Sequence, residues 1–387
     1  MLIKNGRIVL KDSVLDGDIR IENGRIAEIG IGLCAASDTV IDADGLYVCP
    51  GFVDIHTHGG YGFDFMESSD EAFSSALAFH RDNGTTTVVP TSCTAPKNEI
   101  ISFLEFSAGY VARGENKVAR VAGVHLEGPY LSMKNKGAQN PKFLAVPDTD
   151  DYSYMLAYKD VIKTVTISPE LPGADKMARE LSSVGITVSG GHDDGIYPEF
   201  IPTIDAGMTH LTHLYCAMSD VRFKDGVRNV GLREYALIEN RLTAELIADN
   251  KHIMRELGLM IYNAKGSEKL CVVSDSLSAA GMPNDGRTYK IGAGENAQRI
   301  VAADGVARNE AGIFAGSITP VLGMVKNLVG WGIPLVEAVK MGSLIPARVI
   351  HEDSRIGSIE VGKLADICII DDEFNVKNVI IDGKTVK

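Results

Sequence analysis

Apolar and polar positions change rhythm twice along the chain. Residues 1–50 alternate in short runs broken by turns: "MLIKNGRIVL", "DGDIRIENGRIAEIG", "TVIDADGLYVCP". A period of two marks strands with one buried face, and the "NG" pairs at 5–6 and 23–24 are hairpin signals. The last stretch, "RIGSIEVGKLADICIIDDEFNVKNVIIDGKTV", has the same short runs and a "DG" turn. The two ends are expected to pair as one small β domain, a β-sandwich drawn from residues 1–50 and 351–387.

Between them, over 51–350, strand-like runs alternate with longer stretches of helical spacing, the rhythm of βα units. Eight strand candidates stand out: "GFVDIHTH" (51–58), "TTTVVPTS" (85–92), "RVAGVHLEG" (120–128), "KTVTISPE" (163–170), "GITVSGGHDD" (185–194), "MTHLTHLYC" (208–216), "RLTAELIAD" (241–249) and "KLCVVSDS" (269–276). Eight is the number that closes a (β/α)8 TIM-like barrel, and the length suits one with insertions. The alternative is an open doubly wound sheet. No G-x-G-x-x-G turn follows the first run, which disfavours it. The expected fold class is α/β: the barrel at 51–350 plus the small β domain.

Composition narrows the class. Of 387 residues, 45% are apolar and 23% charged, ordinary for a soluble globular protein. A formal charge of −13 argues against nucleic-acid binding. An anionic small molecule stays compatible with it, because in cellular salt fields decay over about 8 Å and the local pocket decides. Six cysteines occur with no C-x-x-C spacing, so a reducing, cytoplasmic location is expected. The first residues mix charges into a strand pattern and read as no signal peptide. No apolar stretch reaches about 18 residues without charge, so no membrane span is expected.

Candidate chemistry gathers at the strand ends, where barrel enzymes build their sites. The first candidate strand ends in His56 and His58, which share a face because i and i+2 do so in a strand. The third ends in His125 and Glu127, the fifth in His192 with Asp193 and Asp194. The sixth ends in His213, three residues after His210, and the eighth in Asp275. Each alone has an ordinary reading: a core histidine, or a helix cap for Glu127 or Asp275. In a closed barrel all five ends meet on one rim.

Imidazole and carboxylate ligands suit a divalent transition metal, Zn or Fe. Glu127, His192 and His213 are assigned to one ion, and His56 and His58 to a second if it binds, with Glu127 shared. The end of the fourth strand, "TVTISPE", offers no lysine as an alternative bridge. Asp275 is the expected proton acceptor and donor, and the expected chemistry is metal-assisted hydrolysis.

These residues lie in segments that carry a family resemblance. The chain resembles the N-acetylglucosamine-6-phosphate deacetylases of the amidohydrolase superfamily. The pieces are "PGFVDIHTHGGYGFDFM" (50–66), "GVHLEGPYLS" (123–132), "KGAQNP" (136–141), "SPELPG" (168–173), "GHDDG" (191–195), "THLTHLYCAMS" (209–219), "ELIADNKHI" (245–253), "VVSDSLSAAGMP" (272–283) and "FAGSITP" (314–320).

The resemblance implies metal ligation by Glu127, His192 and His213 and proton transfer by Asp275. It implies that the His56/His58 pair decides whether a second ion joins. It implies substrate contacts at Ala138 and Gln139, Cys216 and Ala217, Arg228, His252, and Ala315 and Gly316. Arg228 and His252 would hold a sugar phosphate. It also implies a homodimer, with His252 reaching the neighbouring site.

Three positions depart from the family. Gln139 stands where a histidine is usual, and glutamine donates a hydrogen bond but carries no charge. Cys216 stands for an asparagine. Arg228 lies in "VRNVG" rather than R-x-P-G. The catalytic set is complete while the substrate rim is altered. The readings that follow are deacetylation of N-acetylglucosamine 6-phosphate, the same mechanism on another N-acyl amino sugar phosphate or other amide, or a non-catalytic paralogue. Loss of metal ligands would have favoured the last, and none is lost.

Overall fold

Strands buried on both faces need near-continuous β-branched and apolar sequence. "TTTVVPTS" (Thr85–Ser92) supplies this, with every residue buried. The computed structural model describes residues 1–34, 39–114 and 117–387. In it the eight expected runs form parallel strands: Phe52–Thr57, Thr85–Ser92, Val124–Glu127, Ile162–Ile167, Thr187–Gly190, Met208–Leu211, Thr243–Leu246 and Leu270–Val272. Each pairs with its successor in chain order.

The ring closes just past the strand ends. Thr57 and Ser276 form a parallel bridge. Asp275 N donates to His56 O at 2.9 Å and His58 N to Ser276 O at 2.8 Å. The open-sheet alternative is therefore excluded. Thr85–Ser92 has the expected length; the other seven strands run two to six residues shorter than the periodicity suggests, most of them because their polar ends leave the sheet to form the rim.

The two chain ends do share a sheet. Its order is Lys384–Thr385, Val376–Ile381, Ile367–Ile370, Tyr47–Pro50, Leu2–Val9, Val14–Glu22 and Arg25–Gly30. Leu2–Val9 splits its partners: Leu2–Lys4 pair with Val40–Asp42, and Arg7 and Ile8 with Tyr47 and Val48. A separate apolar cluster including Ile3, Ile8, Ile19, Val48, Ile367 and Ile380 fills this part. Arg120, below the third barrel strand, links the two parts through Asp366 at 2.6 and 3.1 Å and Asp382 at 2.6 Å.

Two insertions escape the periodicity. Arg222–Lys224 and Val227–Asn229 form a hairpin after the sixth strand. Asp285–Ile291, Gln298–Ala303, Val306–Asn309 and Phe314–Ser317 form an antiparallel sheet after the eighth. That sheet carries Phe314, Ala315 and Gly316 to the rim. Gly316 has φ +145°, and a Cβ there would meet Asp275 O at 2.7 Å, so glycine lets the inserted strand dock on the Asp275 backbone. No helix among the described residues is long and apolar enough to cross a membrane.

Candidate active site

The polar rim residues converge as the barrel requires. Glu127 is the last residue of its strand. His192, His213 and Asp275 lie just beyond theirs, with φ of 50°, 29° and 45°. A non-glycine residue in this left-handed region is strained and persists where surrounding bonds fix it. Here they do: Ser132 N donates to His192 O at 3.1 Å and Ser317 N to Asp275 O at 2.8 Å, and His213 N donates to Glu245 Oε2 at 2.9 Å. The turned backbone brings the three side chains into one cavity.

Glu127 sits at the centre. Its Oε1 lies 3.0 Å from Nε2 of both His192 and His213, and those two Nε2 atoms are 3.1 Å apart. His58 Nε2 is 3.4 Å from Glu127 Oε2 and 3.3 Å from Asp275 Oδ1. His56 Nε2 is 3.6 Å from Glu127 Oε1 and 3.5 Å from Asp275 Oδ1. All these residues are at most 7% exposed.

The donor set fits a cation. His192 Nδ1 lies 2.8 Å from the Asn135 carbonyl; donation there leaves the Nε2 lone pair facing Glu127. His56 Nε2 is buried without a hydrogen-bond partner. Two triads, Glu127/His192/His213 and His56/His58/Glu127, each place ligand atoms close enough to share one ion. A third, His56/His125/Glu245, lies deeper, but His125 Nε2 is 2.7 Å from the Thr166 hydroxyl.

Charge is concentrated to match. Burial opposes ionisation of Glu127, yet His56, His192 and His213 hold it well below the usual carboxylate range. Burial likewise opposes charge on His58, but Asp275 and Glu127 beside it lift it to about 9. Carboxylates and imidazoles that rely on one another for charge compensation are the environment a divalent ion enters.

The cluster floors a cavity of about 630 Å³, lined also by Ala138, Gln139, Cys216, Ala217, His252, Ala315 and Gly316. Every expected substrate contact but one is thus brought together. The exception is Arg228, which is exposed on the inserted hairpin and does not line the cavity. His252 lines the cavity of its own chain, where Asp249 Oδ2 accepts from its Nδ1 at 2.7 Å. Its ring lies 4.7 Å from that of Phe314. Gln139 is pinned at both ends: Nε2 donates to Glu127 Oε2 at 2.6 Å, and Oε1 accepts from Thr94 N at 2.7 Å.

Sequence reading passes over Lys134 and Lys136, which bring positive charge to the rim, and over Glu245. The signal for Glu245 is a lone carboxylate inside the apolar run "RLTAELIAD".

A parallel barrel with imidazoles and carboxylates converging on its C-terminal rim defines a hydrolase class whose sites can hold metal. The chain belongs to the Amidohydrolase family, whose model matches residues 47–386. It is 31% identical to an N-acetylgalactosamine-6-phosphate deacetylase of Escherichia coli O157:H7 over 99% of this chain and 98% of the relative. It is 30% identical to an N-acetylglucosamine-6-phosphate deacetylase of Haemophilus influenzae over 97% of each.

Among solved structures it is similar to N-acetylglucosamine-6-phosphate deacetylase from Pasteurella multocida, with TM-score 0.91 and 27% identity over 99% of this chain and 98% of that one. A mutant of the Mycobacterium smegmatis enzyme in complex with N-acetyl-D-glucosamine-6-phosphate gives TM-score 0.90 and 28% identity over 100% and 99%.

Proposed function

We propose that this chain hydrolyses the acetamide of N-acetylglucosamine 6-phosphate, giving glucosamine 6-phosphate and acetate. The observation that carries the reading is the place of Asp275. Its Oδ1 lies 3.3 Å from His58 Nε2 and 3.5 Å from His56 Nε2, on the floor of a cavity large enough for a sugar phosphate.

Glu127, His192 and His213 would hold one divalent ion, Zn or Fe. His56 and His58, sharing Glu127, would hold a second. When bound, such an ion supplies Lewis acidity, polarising an amide carbonyl and lowering the pKa of water. Asp275 accepts the proton of the attacking water and delivers it to the leaving amine. Its backbone is held on both sides, by His56 O and by Ser317 N, so the carboxylate is positioned before substrate arrives. Gln139 spends one N–H on Glu127, leaving the second for the cavity it lines.

At the rim, Lys134, Lys136 and His252 supply donors for the phosphate, and Ala217, Ala315 and Gly316 present backbone groups. Arg228 would serve the phosphate from a neighbouring subunit of a homodimer. Exposed Phe223 and Val227 on its hairpin offer apolar surface for that contact; light scattering on purified protein tests it. Six free cysteines agree with a reducing, cytoplasmic setting.

A second reading keeps the mechanism and changes the sugar. Gln139 and Cys216 alter the rim, and the Escherichia coli relative is named for the galactosamine epimer. A screen of N-acylated amino sugars, with and without 6-phosphate, on metal-quantified protein separates the two. The first reading expects the highest kcat/KM on N-acetylglucosamine 6-phosphate, and a higher value on another amide would replace it.

A further inference from the structure

Glu245 lies in the barrel interior, fully buried, on the seventh strand Thr243–Leu246. It is not among the residues lining the cavity. One of its oxygens meets both halves of the metal site. Oε2 lies 2.8 Å from His56 Nδ1 across the barrel and accepts from the backbone N–H of His213 at 2.9 Å. A carboxylate can only accept, so His56 must carry its proton on Nδ1 toward Glu245. The His56 Nε2 left over is the buried, unpartnered nitrogen that points at Glu127 and Asp275. The second bond fixes the backbone turn at φ 29° that aims the His213 ring at Glu127.

We propose that Glu245 is a positioning residue for both ions: through one oxygen it sets the tautomer and orientation of His56 and the backbone turn that presents His213. The inference rests on the two-ion reading given above. The alternative is a merely structural carboxylate, whose loss would lower stability without discriminating between the ions. The geometry favours positioning. Both short hydrogen bonds come from proposed metal ligands, one from each triad, while the other oxygen, Oε1, makes only a longer contact, 3.5 Å from His210 Nε2. A carboxylate behind a ligating imidazole also increases its donor strength, and losing such a partner typically costs about 10–100-fold in metal affinity.

Two substitutions separate placement from charge. In Glu245→Gln the amide oxygen can still accept both N–H groups but brings no charge. In Glu245→Ala both bonds are lost. Metal-stripped full-length wild type and both variants are titrated with Co²⁺ alone, following its visible absorption against a competing chelator. Histidine tautomers are read in the metal-free proteins by ¹⁵N NMR. The expected result is two ions in wild type. In Glu245→Ala the ion at His56/His58 binds about 10–100-fold more weakly and the other ion by a smaller factor. In Glu245→Gln the weakening at His56/His58 is intermediate. His56 is protonated at Nδ1 in wild type and loses that preference in Glu245→Ala.

Wild type binding two ions while both variants bind them as tightly would overturn the positioning role alone. So would equal weakening of both ions with an unchanged His56 tautomer. Wild type binding one ion would overturn the two-ion reading and the affinity claim with it. If Glu245→Ala fails to fold, Glu245→Gln with wild-type affinity at both sites and an unchanged tautomer would still overturn the proposal.

Discussion

Gln139 Nε2 donates to Glu127 Oε2 across 2.6 Å, while its Oε1 accepts from Thr94 N at 2.7 Å. One side chain thus braces the carboxylate on which both proposed ion sites depend. Gln139→Leu keeps bulk but strands both partners. Leaving a buried polar group unpaired costs about 1–3 kcal/mol, or about 5–150-fold if felt wholly at the transition state. Steady-state kinetics on metal-loaded enzyme should show a fall of that order in kcat with KM little moved. Gln139→His should not raise activity on N-acetylglucosamine 6-phosphate. A gain would identify that sugar as a secondary substrate.

His56 contributes to the second triad but not to Glu127/His192/His213. His56→Ala should therefore lower the metal content of purified protein from about two ions per chain to about one, as read by elemental analysis. Unchanged content would remove His56 from ligation. Loss of all metal would mean that the two triads do not bind independently.

Glu170, beside the turn that follows His192, gives a pH signature without being one of the proposed metal ligands. Its Oε1 accepts from Asp194 N at 2.7 Å, and its Oε2 is buried without a partner. Burial first, and Asp193 second, raise its carboxyl from an ordinary 4.5 to about 7. Between those values the folded chain holds a proton that the unfolded chain has released, so stability falls as pH rises. The loss is complete above about pH 7 and amounts to about 3 kcal/mol at most. Glu170→Gln removes this slope. Urea denaturation should find the variant more stable than wild type at pH 8 and nearly equal to it at pH 4. Parallel curves across that range would refute the assignment.

Much of this was legible because barrel strands announce themselves twice, by apolar continuity and by the polar residues at their ends. "DIHTH", "HLE" and "SDS" mark where strands stop and the rim begins. What stayed hidden depends on turns that follow no period. The left-handed backbone at His192, His213 and Asp275 is set by long-range bonds. The eight expected strands end at residue 276 and no element is expected over 285–317, yet the inserted sheet there delivers Phe314 and Gly316 to the cavity. Arg228 illustrates the opposite limit: a motif position can be read while its distance from the cavity cannot. Glu245 was visible as a carboxylate in an apolar strand, but its partners lie 189 and 32 residues away.

Asp275 bears the proposed proton transfer, and Asp275→Asn alters that function with the least change of shape. The decisive measurement is acetate release from N-acetylglucosamine 6-phosphate by wild type and Asp275→Asn, each with its metal content determined on the same sample. Wild type should release one acetate per amino sugar phosphate formed. The variant should keep its metal and its melting temperature while losing at least about 100-fold in kcat, the lower end of what a general acid–base group contributes. A metal-replete Asp275→Asn protein turning over at close to the wild-type rate would contradict the proton-transfer role on which the proposed function rests.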